Sequence, residues 1–313
     1  MGGVKMIIAK PQKPSLIKRV KRDWQLLLIL LPGLIFYIIF RYGPMYGMII
    51  SFKDYSVYKG IINSPWVGLK HFKRFFGNPD FFRLFRNTFM LGMTTLIFSF
   101  PFPIIFAVLL NEIRNIKFKK VVQTASYVPS FLSIVIISSM IIDFLSPGHG
   151  IINQIIAALG FEKIYFMIRP EWFRTVYVAS EVWSGMGFNA ILFIAAIAGI
   201  DPQLYEAAEL DGCGRIKKMW YITVPSILPT IATLFILKSG SVFRIGFEKV
   251  LLLYNPATYE VADVFATYVY RQGLVDMNYS YAAAVGLFES VVALAMLLIA
   301  NTLSKKLSEQ SIW

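Results

Sequence analysis

The chain has 313 residues, 57% of them apolar and only 16% charged, with a mean hydropathy of +0.61. A soluble domain averages about half apolar and a quarter charged, so this composition points to the bilayer and excludes collagen-like, disordered and disulfide-stapled chains. One cysteine, Cys213, and two histidines, His71 and His149, cannot supply an internal disulfide or a multi-cysteine metal site, and the net charge of +13 suits a membrane protein anchored by its basic segments.

Residues 1–23 form a basic N-terminus carrying Lys5, Lys10, Lys13, Lys18, Arg19, Lys21 and Arg22. A cluster of this kind resists translocation, which places the N-terminus in the cytoplasm. The apolar run that follows is expected to span the membrane over about 24–52. A secretory h-region is about 7 to 15 residues long and ends at a small-residue cleavage site, whereas this run continues well past that length without one. Residues 53–86 then hold Lys53, Lys59, Lys70, Lys73, Arg74, Arg83 and Arg86 against Asp54 and Asp80, an unusual excess for an outer segment. Because WVGLKHFKRFF within it mixes aromatic and basic residues, it reads as a helix lying on the outer surface with its side chains snorkelling.

Further spans are expected at about 87–110 and 124–145, separated by a cytoplasmic turn with Arg114, Lys117, Lys119 and Lys120 against Glu112. Spans at about 172–198, 224–243 and 280–303 complete six crossings, and residues 304–313 form a cytoplasmic tail with Lys305 and Lys306. The expected fold is therefore an all-α, multi-pass integral membrane protein with a transmembrane domain over 24–303 and both termini in the cytoplasm.

The loop 200–225 between the fourth and fifth spans is too polar to cross. Asp201 is a good N-cap and Pro202 suits the first helical position, so a short helix should run from Pro202 to about Asp211 and stop at Gly212. A second piece should begin near Gly214, giving a helix-turn-helix under the membrane. Leu204, Ala208 and Met219 are available to pack, while Glu206, Glu209, Asp211, Arg215, Lys217 and Lys218 should face water.

Glu206, Ala207 and Ala208, followed by Gly212, Ile222 and Pro225, stand at the spacing of the EAA loop of ATP-binding-cassette importer permeases, with Val224 where that pattern has leucine. The chain resembles these permeases, and the resemblance implies a type I importer fold in which this loop is the coupling helix. Glu206, Ala207, Ala208, Asp211, Gly212 and Arg215 would then meet a separate ATPase subunit. No G-x-x-x-x-G-K-[ST] phosphate loop occurs in the chain; no cofactor is expected on this subunit, which is not expected to be an enzyme, and ATP and magnesium would sit on the partners. Within the family, the LLLPGLIFYIIF-type first helix, the WVGLKHFKRFF segment, Asn87-Thr88-Phe89 and YVPSFLS resemble the maltose-type carbohydrate permeases, in particular the branch taking up polysaccharide-derived oligosaccharides. That likeness implies a heterodimer with a second, similar permease, two ATPase subunits, an extracellular or periplasmic solute-binding protein, and a bacterial cytoplasmic membrane.

Charges inside spans need partners or a wet cavity. Glu181 and Glu289 each lie roughly 13 Å from the outer end of their spans and Lys238 about 9 Å, at 1.5 Å per residue. Similar depth suggests that Lys238 pairs with Glu181 or Glu289; the alternatives are a face toward the partner permease or snorkelling. A sugar path needs amides, hydroxyls and aromatic rings at mid-membrane depth. Tyr177, Trp183, Ser184 and Asn189 in span four and Tyr127, Ser130 and Phe131 at the start of span three are the candidates, although an aromatic stripe equally serves helix packing. Gly185 and Gly187 favour close helix contact or a local break. The basic outer segment is compatible with an acidic oligosaccharide; a neutral one, or a non-sugar cargo such as phosphate, amino acids or peptides, remains open. A membrane enzyme acting on lipid-linked glycans would want a surface cluster of carboxylates, histidines or metal ligands, and the one dense acidic group, Glu206, Glu209 and Asp211, already belongs to the coupling motif.

Overall fold

A computed structural model describes residues 22–308. Most of the expected basic N-terminus, residues 1–21, and residues 309–313 of the expected tail lie outside them. Among the described residues, four helices are long and apolar enough to cross a membrane: Trp24–Phe52, Asp80–Asn111, Pro170–Ala198 and Tyr279–Thr302. Two bent pairs bring the total to six if each is one span: Ile116–Phe131 with Ile134–Leu145, bent by 104°, and Arg215–Ser226 with Leu228–Ser239, bent by 59°. The only strand-like feature among the described residues is one isolated bridge, Lys53 to Trp66.

Proline sets the irregularities. A proline inside a helix frees the carbonyl four residues before it, and both Pro44 and Pro225 are preceded by a π-helical turn, Ile38–Tyr42 and Met219–Thr223. In these turns the backbone bonds shift by one residue, with Gly43 N–H donating to the Ile38 carbonyl and Val224 N–H to the Met219 carbonyl. The third span, expected as one helix over 124–145, begins earlier and breaks. Pro129 opens a short 3-10 turn, Val128–Phe131, Leu132 is extended, and Ser133 caps the helix Ile134–Leu145 by accepting from Ile136 N–H. The second span also begins before the expected residue 87, at Asp80, and it is the central post of the bundle. Leu91 packs with Ile137, Phe173 and Val250; Leu96 with Val242 and Tyr281; Ala107 with Phe193 and Ile227.

Close helix approach rests on small residues. A β-carbon at Gly92 would overlap the Val242 carbonyl, and one at Gly187 would overlap the Ser126 backbone, so span two seats against the residues after span five and span four against the first half of span three. Ser130 Oγ donates to the Ser184 carbonyl at 2.6 Å, fixing the break in span three beside the middle of span four.

Within the basic segment 53–86 the WVGLKHFKRFF stretch forms the helix Lys70–Phe76 with Lys70, Lys73 and Arg74 exposed, but the segment is also anchored inward. Lys53 is buried, its Nζ donating to the Ile61 and Ile62 carbonyls at 2.7 and 3.0 Å and lying 5.1 Å from the Trp66 ring centroid. In the helix Lys70–Phe76, Phe75 is fully buried and meets Phe81, Phe265, Tyr281 and Phe288 edge to face. The hydrogen bond from Lys70 holds the Asp54 carboxyl below the usual carboxylate range. Beside this cluster the carboxylate of Asp263, fully buried, is held by Arg271 at 2.6 Å and Thr267 at 2.8 Å, with Arg83 at 3.7 Å. A buried charge is tolerable only with such compensation. Part of the local basic excess is thus spent on packing and pairing. The stretch from Trp24 to Met45, by contrast, buries no residue within the chain.

Candidate functional site: coupling loop and membrane cavities

The loop 200–225 folds as its local chemistry dictates. The Asp201 side chain accepts from Gln203 N–H at 2.9 Å and caps the helix Pro202–Leu210. The helix ends because Gly212 adopts φ +74°, a conformation that side chains resist; Cys213 N–H then reaches back to the Ala208 carbonyl at 2.8 Å. A short helix, Arg215–Lys218, follows and leads through the π turn into span five. Two braces tie the halves together. Tyr205 and Thr223 share a hydroxyl hydrogen bond of 2.9 Å, and Lys218 pairs with Glu209 at 2.5 Å, which holds the Glu209 carboxyl below its ordinary range. Lys218, expected to face water, is therefore largely covered. Met219 packs against the core cluster of Ala107 and Ile197, anchoring the loop to the bundle.

Glu206, Ala207, Asp211, Gly212 and Arg215 are exposed on this loop, with Ala208 half-buried. Glu206 makes no ion pair among the described residues. Around them stand uncovered apolar side chains, Leu204, Leu210, Ile216, Trp220 and Tyr221, of which Leu210 is 91% exposed.

Within the membrane the structure redistributes the expected polar groups. Glu181 pairs with Lys249, not with Lys238 or Glu289: the Lys249 Nζ lies 2.9 Å from Glu181 Oε2 and 4.8 Å from the Tyr177 ring centroid. Lys249 sits on a short helix, Phe247–Leu253, between spans five and six. Equal depth was a poor guide because depth says nothing about the direction in which a helix points its side chains. Lys238 and Glu289 make no ion pair among the described residues.

Lys238 instead lines two adjoining cavities. One, of about 500 Å³, is bounded by Ser99, Phe100, Phe188, Asn189, Leu192 and Leu237; the other, of about 240 Å³, by Thr95, Tyr177, Glu181, Ser241 and Arg244. Thr95 and Ser99, one helical turn apart on span two, each hold a buried hydroxyl oxygen without a hydrogen-bond partner. A buried unpaired hydroxyl is costly unless something fills its valence. The chamber therefore combines the Lys238 ammonium, the exposed Arg244 guanidinium, the Glu181 carboxylate held by Lys249, two orphan hydroxyls, the Asn189 amide and aromatic walls.

The remaining candidates do not gather at one surface. Asn189 reaches the larger cavity and Tyr177 the smaller, though Tyr177 is only 3% exposed and Ser184 is buried in helix packing. Trp183 faces a different groove, between spans two and four. Phe131 is exposed at the break in span three, with its ring 6.2 Å from that of Phe188, while the Tyr127 hydroxyl accepts from Gln123. Sequence reasoning missed Thr95, Ser99, Arg244 and Lys249. The first two look like ordinary span residues, and the last two fall in a segment whose near-neutral composition reads as a loop.

Residues 80–309 match the family described as binding-protein-dependent transport system inner membrane component. The chain is 45% identical over 308 residues to the polygalacturonan/rhamnogalacturonan transport system permease protein YteP of Bacillus subtilis (strain 168), covering 98% of this chain and 96% of that one. Among solved structures, it is similar to a chain of a bacterial ABC transporter involved in the import of the acidic polysaccharide alginate, at 42% identity and a TM-score of 0.86, covering 94% of this chain and 99% of that one. It is similar also to a chain of the bacterial alginate transporter in complex with alginate pentasaccharide-bound periplasmic protein, at 41% identity and a TM-score of 0.87, covering 96% and 100%.

Proposed function

The chain belongs to the binding-protein-dependent transport system inner membrane components, and on that premise we propose that it carries carboxylated, polysaccharide-derived oligosaccharides inward, together with a second, similar permease. It is a multi-pass membrane permease and not an enzyme. Work would come from two ATPase subunits holding ATP and magnesium, docked on the loop 200–225 at the cytoplasmic face, where both termini would also lie; cargo would arrive on a solute-binding protein from the other side.

One observation carries the reading of the cargo: the chamber around Lys238 offers cations and unpaired hydroxyls inside the span region. A uronic acid brings a carboxylate for Lys238, hydroxyls for Thr95, Ser99 and Asn189, and an apolar ring face for Phe100 or Phe188. Charge-assisted hydrogen bonds of this kind are about twice as strong as neutral ones. The Glu181 carboxylate in the same chamber is already paired with Lys249, so Lys238 keeps its donors for a passing carboxylate, which a neutral sugar does not supply. The names of YteP and of the alginate transporter, both tied to acidic polysaccharides, favour the same class. The first span supports the second permease: a helix that buries nothing from Trp24 to Met45 has its apolar surface free for another chain.

The test is binding-protein-dependent uptake into vesicles containing the assembled transporter, comparing an oligogalacturonide with its methyl ester. Lys238→Gln is expected to lower uptake of the acid about tenfold, as loss of one charged hydrogen bond worth ~1.5 kcal/mol requires, and to leave the ester little changed. Equal losses for both cargoes would refute the carboxylate reading.

A further inference from the structure

A second cationic site lies on the other side of the span two and span four pair. Arg174 stands near the start of span four and Arg86 near the start of span two, close enough for the charge of Arg86 to act on Arg174. A guanidinium has five N–H donors. Arg174 uses one, to Asn87 Oδ1 at 3.2 Å, and Arg86 uses one, to the Glu260 carbonyl at 3.3 Å. The Asn87 amide also donates to the carbonyls of Glu260 and Asp263 at 2.8 and 3.1 Å, so the asparagine that positions Arg174 is itself fixed. Neither arginine has a carboxylate within ion-pair distance among the described residues, and Arg174 Nε is buried without a partner. Two like charges held side by side with most donors idle make a seat for an anion.

Below Arg174 runs an open groove of about 570 Å³ lined by Thr94, Phe98, Phe102, Val178, Val182 and Met186. Thr94 gives its hydroxyl to the Met90 carbonyl of its own helix, which leaves the Thr175 hydroxyl and the Trp183 indole N–H as the other donors of a mostly apolar lining. From Arg174 to Met186 the groove descends roughly 18 Å at 1.5 Å per residue, against about 15 Å for one leaflet of a 30 Å hydrocarbon core. A sugar chain laid there would leave most of its hydroxyls unpaired, whereas an acyl chain has none to satisfy.

We infer that Arg86 and Arg174 bind the phosphate of an anionic glycerophospholipid in the leaflet opposite the coupling loop, with one acyl chain lying in the groove between spans two and four. Bound there, the lipid neutralises the arginine pair and fills the contact between the two helices that also wall the Lys238 chamber.

The test is quantitative lipid analysis of the assembled transporter, purified from phosphatidylglycerol-containing membranes and washed in neutral detergent, followed by rebinding of phosphatidylglycerol or phosphatidylcholine. Wild type is expected to retain and rebind phosphatidylglycerol selectively. Each cation near an anionic lipid is worth about 1 kcal/mol, or roughly fivefold, so Arg86→Gln with Arg174→Gln is expected to weaken rebinding about twentyfold or more. Because the double variant can lose its fold, Thr175→Trp, which keeps both arginines and narrows the groove, provides an independent arm and is expected to lose the lipid as well. Glycerol phosphate at millimolar concentration is expected to leave the bound lipid in place; its displacement of the lipid with equal affinity would assign the seat to a free phosphate. Equal retention of phosphatidylcholine, unchanged binding in the arginine variants, or an engineered cysteine at Val182 that cross-links to the second permease would each overturn the inference.

Discussion

Lys249 is the residue on which the inner architecture leans most visibly. Its side chain is 3% exposed, while that of its partner Glu181 is 37% exposed. Removing one member of a buried pair costs about 3–5 kcal/mol, because the other charge is left stranded. Glu181→Gln strands the more deeply buried lysine and is expected to cost about 3 kcal/mol, the low end of that range because the lysine keeps the Tyr177 ring. Lys249→Met strands a half-open carboxylate, worth about 2 kcal/mol by the same reasoning, and forfeits a cation–π contact worth about 1 kcal/mol. The double variant removes both charges and is expected to cost well under the sum, with a coupling of about 2 kcal/mol. Reversible unfolding in mixed detergent micelles measures all three. Single effects that add to within about 0.5 kcal/mol would mean the two groups do not interact, and that the short helix Phe247–Leu253 is held to span four by packing alone.

Other consequences follow from the same contacts. Replacing Gly212 with valine puts a branched side chain at φ +74°, a strain of about 1–2 kcal/mol, and is expected to loosen the end of the coupling helix so that ATP hydrolysis continues while uptake falls; the ratio of the two rates checks it. Asp201→Ala removes the cap of the same helix at a cost of about 1 kcal/mol and is expected to weaken ATPase attachment in a pull-down without expelling the chain from the membrane. Phe75→Ala empties the centre of the aromatic cluster at about 3–5 kcal/mol, to be seen as a lowered unfolding midpoint. Gly187→Leu is expected to push span three off span four at Ser126 and abolish assembly, where Gly185→Leu, facing only the Asn189 side chain, is expected to be far milder; size-exclusion profiles distinguish them.

What the sequence determined is whatever depends on local chemistry and on total apolar length. Six candidate crossings follow from apolar length, because a bilayer tolerates backbone only when its hydrogen bonds are closed within the segment. The helix Pro202–Leu210 was legible nearly to the residue, since an aspartate cap, a proline at the first turn and a glycine stop act within a few residues of themselves. The tertiary structure decided everything that depends on direction. It gave Glu181 to Lys249, left Lys238 facing a chamber with Thr95 and Ser99, and sent Tyr177 and Trp183 of one expected stripe to different surfaces. It also turned the third span by 104° and drew Phe75 inward from a segment that reads as surface. A residue's depth can be counted along the chain, but the neighbour it meets depends on how helices rotate and break against one another, and that is fixed only when distant glycines, prolines and aromatic rings pack at once.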